Sequence, residues 1–400
     1  MLIGLVGKPS VGKSTFFKAA TLAEVAIAPH PFTTIKPNHG IAYVKIDCID
    51  TEFKVKCNPK HGFCMNGKRF VPVELMDVAG LVKGASEGKG LGNKFLDDLR
   101  EADAFIQIVD LSGKTDAEGK ILSDEEFHNP VEDVKFLEDE LDKWYCNIFV
   151  KAWRSFAKKA EQESKDNFAK AVAKQFSGLK INEENVKDVL RYNDFSKNFS
   201  SWSEDEMMKF ASELRKKSKP LIIAGNKVDT GQGVKNYEIL KREFPKSIII
   251  PCSADSELAL REAAKKGLID YIPGERNFRI IDGKNMNERQ ISALEKIKKD
   301  ILEKFPDGTG VQEILNKVVF EILGYFAVFP AGANKLGDGK GNILPDCFLL
   351  PKGSTARDFA YFLHTDFGDN FIKAINARTK KALGKDYLLK HRDAMEIVTK

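Results

Sequence analysis

The sequence has no long uncharged hydrophobic run, no disulfide framework and no internal repeat. The lack of about 18 consecutive apolar residues excludes an ordinary transmembrane helix. Six cysteines among 400 residues, without regular spacing, are typical of a reducing cytosol. The apolar stretch Leu2–Val6 is too short for a secretory signal. We therefore expect a cytoplasmic protein that does not enter a membrane.

The bulk composition predicts a globular protein with more than one domain. A chain of 400 residues is too long for one ordinary hydrophobic core, so two or three domains are expected. A hydrophobic fraction of 42% with 30% charged residues suits a packed, water-exposed fold. The net charge of +5 is a weak indication of anionic partners.

Short apolar runs followed by turn residues alternate with helical segments in residues 1–115 and 218–275. This alternation predicts an α/β fold with a parallel sheet. The predicted strands are Leu2–Val6, Val71–Asp77, Ala104–Asp110, Pro220–Ala224 and Ser247–Pro251.

The segment from about residue 129 to 219 has a different pattern, being charged, poor in glycine and helically periodic. Apolar residues recur there at spacings of three and four, which places them on one helix face. The first such stripe is Val134, Leu137, Leu141, Trp144 and Ile148. We expect a helical insertion, one form of which is a helical hairpin, with these stripes as its shared core.

The last third of the chain predicts a helical connector and a small separate domain. A helical stretch over Glu288–Leu323 forms most of the connector, residues 276–324. Strands are predicted at Tyr325–Phe329 and Phe348–Leu350, followed by a helix over Ala356–His364. Ser354 or Thr355 would cap that helix.

A phosphate-binding loop lies between the first predicted strand and the first helix. Its pattern, Gly-x-x-x-x-Gly-Lys-Ser, lets successive backbone amides face phosphate oxygens at a helix N-terminus. Lys13 would bridge the terminal phosphates, and the Ser14 hydroxyl would ligate Mg²⁺. The predicted loop residues are Gly7, Lys8, Pro9, Ser10, Val11, Gly12, Lys13, Ser14 and Thr15.

Two further segments supply groups for the metal and the γ-phosphate. Asp77 ends a predicted strand and could hold Mg²⁺ through a water, while the Gly80 amide could sense the γ-phosphate. Thr33 and Thr34 lie between the first helix and the second strand, where a hydroxyl or carbonyl could close over Mg²⁺. The chemistry of the sequence does not separate the two threonines.

The base is selected by a third segment, Asn226-Lys227-Val228-Asp229. A carboxylate at Asp229 accepts two hydrogen bonds from guanine, whereas adenine would leave it unpaired. Asn226 would tie this segment to the phosphate loop, and the Lys227 stem would lie along the base. Ser253 and Ala254 follow another strand and would support the base through backbone amides. Together the ordered segments predict a Mg²⁺-dependent GTPase.

At this point the chain resembles the Obg-related GTPases, and among them the archaeal-type YchF-like group. Its C-terminal part is similar to a TGS domain, a β-grasp module. The resemblance is carried by Pro31-Phe32-Thr33-Thr34-Ile35-Lys36-Pro37-Asn38, by Asp77-Val78-Ala79-Gly80-Leu81-Val82-Lys83-Gly84-Ala85, by Gly88-Lys89-Gly90-Leu91-Gly92-Asn93-Lys94-Phe95-Leu96, by Arg100-Glu101-Ala102-Asp103-Ala104 and by Leu350-Pro351-Lys352-Gly353-Ser354-Thr355-Ala356-Arg357-Asp358.

The resemblance implies a domain order and one site assignment. A GTP-binding domain would span residues 1–275, interrupted by the helical insertion at about 129–219. The helical connector, 276–324, and a TGS domain, 325–400, would follow. The resemblance also favours Thr34 as the Mg²⁺-side threonine.

The chain departs from the proteins it resembles in two features that affect chemistry. Bacterial and eukaryotic YchF proteins favour ATP and lack the Asn-Lys-x-Asp segment, but Asn226 and Asp229 are intact here. Many relatives carry an asparagine linked to K⁺ stimulation where this chain has Ser10, so a K⁺ requirement stays open.

The hydrolytic machinery looks incomplete. Lys13, Thr34 and Gly80 are the predicted catalytic residues, but Leu81 occupies the position where many GTPases place a water-orienting glutamine. An aliphatic side chain cannot orient water, so slow intrinsic hydrolysis is expected. Ser86, Glu87, a partner, a monovalent ion or a switch rearrangement could supply the missing group.

Two weaker patterns leave alternatives open. A basic segment near the C-terminus is either a solvated face or an RNA contact. The resemblance to a TGS domain favours an RNA contact on the ribosome. The members of this segment are Lys373, Arg378, Lys380, Lys381, Lys385, Lys390 and Arg392. Cys57, His61 and Cys64, with Cys48 nearby, form a plain hairpin loop, a metal site or a redox-linked pair.

The expected protein is therefore a monomeric GTP/GDP-binding switch that contacts the ribosome or RNA. The alternatives are a metabolic phosphotransferase and an ATP-using regulator of the YchF type.

Asp229→Asn should move the nucleotide preference from GTP toward XTP, because an amide cannot accept both guanine donors. Competition binding against a fluorescent GTP analogue measures the change. An unchanged GTP preference in the variant would contradict the assignment of Asp229 to the base.

Overall fold

The computed structural model describes residues 1–22, 38–78, 99–160, 165–195, 201–281, 285–338 and 340–400. Among these residues no helix has both the length and the apolar character needed to cross a bilayer.

Within the described residues, seven strands form the sheet of the N-terminal domain, in the order β2-β4-β1-β5-β6-β7 with β3 beside β4. The strands from β4 to β7 in this order run parallel, whereas β2 and β3 are antiparallel to β4. All residues of β1 and β5 are buried, as expected for strands covered on both faces. The strands are β1 (Leu2–Val6), β2 (His39–Asp47), β3 (Phe63–Met65), β4 (Lys68–Asp77), β5 (Ala104–Asp110), β6 (Leu221–Asn226) and β7 (Ile249–Pro251).

Helices pack on this sheet, and the carboxyl ends of its parallel strands meet at one edge. Each predicted strand of this domain overlaps an observed one, which confirms the α/β fold. The helices that follow β1, β6 and β7 are α1 (Lys13–Thr21), α6 (Gly233–Glu243) and α7 (Ala254–Lys265). The edge where the strands end is the usual position of a ligand site in such folds.

The insertion is larger than a helical hairpin. Among the described residues it contains α2 (Pro130–Ala160), α3 (Lys165–Gln175), α4 (Glu183–Tyr192) and α5 (Glu204–Ser218), with a 3₁₀ turn at Ser177–Leu179. Aromatic rings fill its centre, with Phe149 and Phe176 stacked 4.3 Å apart and Trp153 and Trp202 stacked 5.1 Å apart. Of the predicted first stripe, Ile148 alone is half-buried and the other members are buried.

The helical stretch predicted over Glu288–Leu323 is interrupted, so that prediction is wrong in its continuity. The helix α8 (Glu288–Ile297) continues as a π-helical turn, Lys298–Leu302, and ends. A second helix, α9 (Val311–Asn316), runs into another wide turn, Lys317–Ile322. Between the two, Gly310 has a φ of +81°, and a Cβ there would lie 2.1 Å from the Pro251 carbonyl oxygen. A short ribbon, β8 (Ile269–Asp270) and β9 (Arg279–Ile280), precedes α8.

The described C-terminal residues form a second sheet, ordered β11-β10-β14-β12-β13, in which β10 and β14 are parallel. Thr355, not Ser354, caps α10, and its hydroxyl accepts a hydrogen bond from the Asp358 amide. The elements are β10 (Tyr325–Pro330), β11 (Phe348–Pro351), α10 (Ala356–Leu363), α11 (Thr365–Asp369), β12 (Phe371–Asn376), β13 (Ala382–Leu383) and β14 (Asp393–Thr399).

The two sheets are joined by a continuous apolar core and by buried polar contacts. Residues of α9 lie in the same buried cluster as β1 and β10. The fully buried Arg69 on β4 donates to the carbonyl oxygens of Leu344 and Pro345, both at 3.0 Å. Glu52 accepts from Arg378 at 2.7 Å and also from Arg392. Two members of the predicted basic segment are therefore held at this interface.

Candidate nucleotide-binding site

The loop after β1 is tightly folded against two neighbouring segments. Gly7 and Gly12 have φ values of +149° and +98°, conformations that residues with a Cβ rarely adopt. A Cβ on Gly7 would lie 2.6 Å from the Ile108 carbonyl oxygen, and one on Gly12 would lie 2.3 Å from Asn226 Nδ2. Both glycines are therefore required for close packing as well as for the turn.

The ammonium group of Lys13 lies inside this loop. Its Nζ donates to the carbonyl oxygens of Gly7 at 3.0 Å and Lys8 at 2.7 Å. Burial lowers the pKa of Lys13 to about 8, and the nearby Asp77 carboxylate only partly opposes the shift. An anion in the loop would compensate this desolvated charge.

Ser14 and Asp77 come together from α1 and the end of β4. The Ser14 hydroxyl donates to Asp77 Oδ2 at 2.9 Å. Hydroxyl and carboxylate oxygens are ligands that suit Mg²⁺. Thr15 lies half-buried in the same first turn of α1. Thr34 and Gly80 lie outside the described residues.

Asn226, the last residue of β6, joins three loops through one buried amide group. Its Nδ2 donates to the Val11 carbonyl oxygen at 2.9 Å, and its Oδ1 accepts from the Ala254 amide at 3.0 Å. The first bond is the link to the phosphate loop that the sequence predicts.

Lys227 lies over the phosphate loop in a left-handed conformation, with φ of +61°. Its Nζ is 2.7 Å from Asp110 Oδ2 and 3.1 Å from the Ser10 carbonyl oxygen. Burial opposes ionisation of Asp110, but hydrogen bonds from Lys227 and Ser112 outweigh it and hold the pKa of Asp110 below its usual value. Asp110 is not among the predicted site residues, although its place at the end of a buried strand is a usable signal.

The remaining base-binding candidates occupy different environments. Asp229 is exposed just beyond Lys227, where its carboxylate is open to a ligand. Ser253 and Ala254 are buried, and their amides already donate to the Thr309 carbonyl oxygen at 2.9 Å and to Asn226. In this structure those two amides brace the loop, contrary to the expectation that they face the base.

The Lys8 side chain takes no part in the predicted phosphate contacts, which are assigned to backbone amides. Its buried Nζ is 2.8 Å from Asp133 Oδ2 on α2 and donates to the Thr115 carbonyl oxygen at 2.9 Å. The side chain thus turns away from the loop interior and ties the loop to the insertion. Pro9 packs close to Gly119 on the same side.

A glycine-rich loop closing on a lysine, a Ser–Asp pair beside it and an Asn-Lys-x-Asp loop define a P-loop nucleotide-binding protein of the GTPase type. Three family signatures agree with this class. The 50S ribosome-binding GTPase signature matches residues 2–137, the Obg-like GTPase YGR210-like, G4 motif-containing domain matches 224–332, and the TGS domain matches 328–399. The chain belongs to the Obg-related, YchF-like family of GTP-binding proteins.

Individual relatives extend over nearly the whole chain. It is 51% identical to a GTP-binding protein of Methanocaldococcus jannaschii, covering 100% of this chain and 99% of the relative. It is 30% identical to the ribosome-binding ATPase YchF of Bacillus subtilis, covering 93% of this chain and 87% of the relative. A solved GTP-binding protein from Pyrococcus horikoshii is 40% identical, with a TM-score of 0.77 and full coverage of both chains.

Nucleotide affinity should fall as the pH rises above about 8. Bound phosphates favour the charged ammonium form of Lys13. Because the pKa of Lys13 is about 8 without nucleotide, Lys13 must take up a proton when nucleotide binds at higher pH. We expect the Kd of a non-hydrolysable GTP analogue to rise up to about tenfold per pH unit toward about pH 9. Isothermal titration calorimetry measures both the Kd and the proton uptake.

Lys13→Arg is the control, since arginine stays charged over this range. Its binding should be weaker but independent of pH. A constant Kd in the unmutated protein would contradict the placement of Lys13 against the phosphates.

Proposed function

We propose that this protein binds GTP with Mg²⁺ and hydrolyses it slowly, as a molecular switch that works on the ribosome. The observation that carries the proposal is the meeting, at one sheet edge, of the Lys13–Ser14–Asp77 group with the Asn226–Asp229 loop. The first group suits phosphates and a cation, and the second suits guanine. Asn226 fixes the distance between them.

Hydrolysis rests on charge neutralisation and positioning. Lys13 would stabilise the charge that develops on the γ-phosphate, and bound Mg²⁺ would supply further positive charge. Ser14, Asp77 and Thr34 are the proposed metal-side residues, and Gly80 the proposed γ-phosphate sensor. Leu81 offers no group to orient water, which supports a slow intrinsic rate. Replacing K⁺ by Na⁺ in the turnover assay tests whether K⁺ assists hydrolysis at Ser10.

GTP is favoured over ATP in this proposal, although the Bacillus subtilis relative is named an ATPase. Asp229 is exposed at the site and can accept both guanine donors. Adenine has no such pair of donors and would leave the carboxylate unpaired. The names of the two archaeal GTP-binding relatives support the same choice.

A ribosomal or RNA partner is supported by the name of the bacterial relative and by the C-terminal domain. Arg378 and Arg392 pair with Glu52, and Lys380 donates to the Ala333 carbonyl oxygen. The other four lysines of the basic segment, here called the free lysines, are exposed: Lys373, Lys381, Lys385 and Lys390. Phe362 and Phe367 are also exposed on this domain and could stack on bases.

GTP turnover with and without purified ribosomes tests the switch proposal. We expect ribosomes to raise turnover, and we expect replacement of the free lysines by glutamine to remove most of that rise. Binding should lose less affinity with salt in the variant, because each lost phosphate contact lowers the logarithmic salt slope by about 0.7–0.9. The basal rate should stay unchanged.

The control replaces the same number of exposed lysines elsewhere, namely Lys151, Lys170, Lys174 and Lys265. It should keep the ribosomal stimulation. Equal loss of ribosomal stimulation in both variants, or turnover that ribosomes do not raise, would contradict the proposal. Transfer of phosphate to a metabolite would favour the phosphotransferase alternative.

A further inference from the structure

Three thiols and one carboxylate converge at the far end of the β2–β4 hairpin, away from the phosphate loop. The ligand atoms of Cys48, Asp50, Cys57 and Cys64 all lie within 4.8 Å of one another. Cys48 Sγ is 3.8 Å from Cys57 Sγ, and Cys64 Sγ is 3.8 Å from Asp50 Oδ2. Cys48 and Asp50 follow β2, Cys57 lies in the next loop and Cys64 lies on β3, so the fold brings together separate pieces of chain.

These separations suit one shared ion better than a covalent pair. Two thiolate sulfurs, each about 2.3 Å from a tetrahedral zinc, lie about 3.8 Å apart. A disulfide would need sulfurs about 2.05 Å apart. The number and softness of the sulfur ligands select Zn²⁺ over Mg²⁺ or Ca²⁺.

Asp50 is a buried carboxylate, with 6% of its surface exposed, and no basic side chain of the described residues is in ion-pair contact with it. Its Oδ1 accepts from the Thr51 amide at 2.8 Å, which fixes the carboxylate and turns Oδ2 toward the thiols. Once the thiols ionise, their negative charges lie beside this buried carboxylate, and a divalent cation would compensate them.

We propose that Cys48, Asp50, Cys57 and Cys64 bind a structural Zn²⁺ ion. His61 is not a ligand, although its spacing from the cysteines suggests one. Its Nδ1 lies 2.8 Å from Asp346 Oδ1 in the C-terminal part of the chain. Asp50, not His61, takes the fourth ligand position. All four positions are filled by protein, which is the arrangement of structural zinc sites.

The ion would brace the segment on which the C-terminal domain rests. The Asn58 amide donates to the Ile343 carbonyl oxygen at 3.1 Å, and the Lys60 amide donates to that of Pro345 at 2.8 Å. Glu52, which holds Arg378 and Arg392, lies between two ligands in the sequence. Zn²⁺ therefore ties the residue 48–64 loop into the shape that receives the other domain.

Metal content of the full-length chain, purified without chelator, is the first test. Elemental analysis should find about one Zn²⁺ per chain, and a mercurial reagent that modifies thiols should release it. Replacement by Co²⁺ should give a thiolate charge-transfer band in the near ultraviolet and strong visible bands of tetrahedral cobalt. Protein that takes up no metal after incubation with Zn²⁺, or that carries a Cys48–Cys57 disulfide, would overturn the proposal.

Matched variants locate the site. Cys57→Ser should lower zinc affinity at least tenfold, whereas Asp50→Cys should keep the ion, since it restores a four-ligand set. Cys146→Ser, which changes a buried cysteine on α2, should leave the zinc content unchanged. Loss of zinc in Cys146→Ser equal to that in Cys57→Ser would refute the assignment. If Cys57→Ser does not fold, release of zinc from the unmutated chain and its Co²⁺ spectrum decide the question.

Hydrogen exchange distinguishes an ion that stabilises the residue 48–64 loop from one that binds without a structural effect. Removing zinc with a chelator should raise exchange at residues 58–64 and 343–346, while the amides of α6 should not change. Unchanged exchange in the first two segments after complete removal of the metal would overturn the bracing role.

Discussion

The side-chain amide of Asn226 is the contact on which the nucleotide site depends. It is 3% exposed, and it joins the Val11 carbonyl oxygen in the phosphate loop to the Ala254 amide after β7. The loops that would hold phosphate and base are thereby fixed at one separation. A glycine at position 12 is part of the same constraint, since any Cβ there would collide with the amide. Replacing Asn226 by alanine would leave buried groups unpaired in both loops.

Much of the fold and of the site can be predicted from the sequence, because the motifs directly follow strands and the sheet topology brings those strand ends together. Parallel strands end at one edge, so motifs placed directly after strands must meet there. Lys13, Ser14, Asp77 and Asn226 therefore lie where their positions predict. The Thr34 and Gly80 predictions fall outside the described residues and stay predictions, as does the role of Leu81.

Other features depend on contacts that no local pattern reveals. The Lys8 side chain leaves the phosphate loop because Asp133, far along the chain, offers a buried partner. The Ser253 amide donates to the Thr309 carbonyl oxygen, which requires the connector to fold back over the end of β7, and the Ala254 amide donates to Asn226 Oδ1. The first helical path ends at Leu302, and Gly310, with its positive φ and close approach to Pro251, is the N-cap from which the second helix, α9, begins. Buried Gln312 then donates to the Tyr43 carbonyl oxygen at 2.8 Å, which links the connector to β2.

In this proposal the site selects guanine through Asp229, while Lys13 holds the phosphates and Ser14 binds Mg²⁺. The most direct measurement is the ratio of the Kd values for GTP and ATP in the unmutated full-length protein with Mg²⁺. GTP should bind at least about a hundredfold more tightly, because ATP leaves the Asp229 carboxylate without its two donors. Equal affinities for the two nucleotides would contradict the proposal.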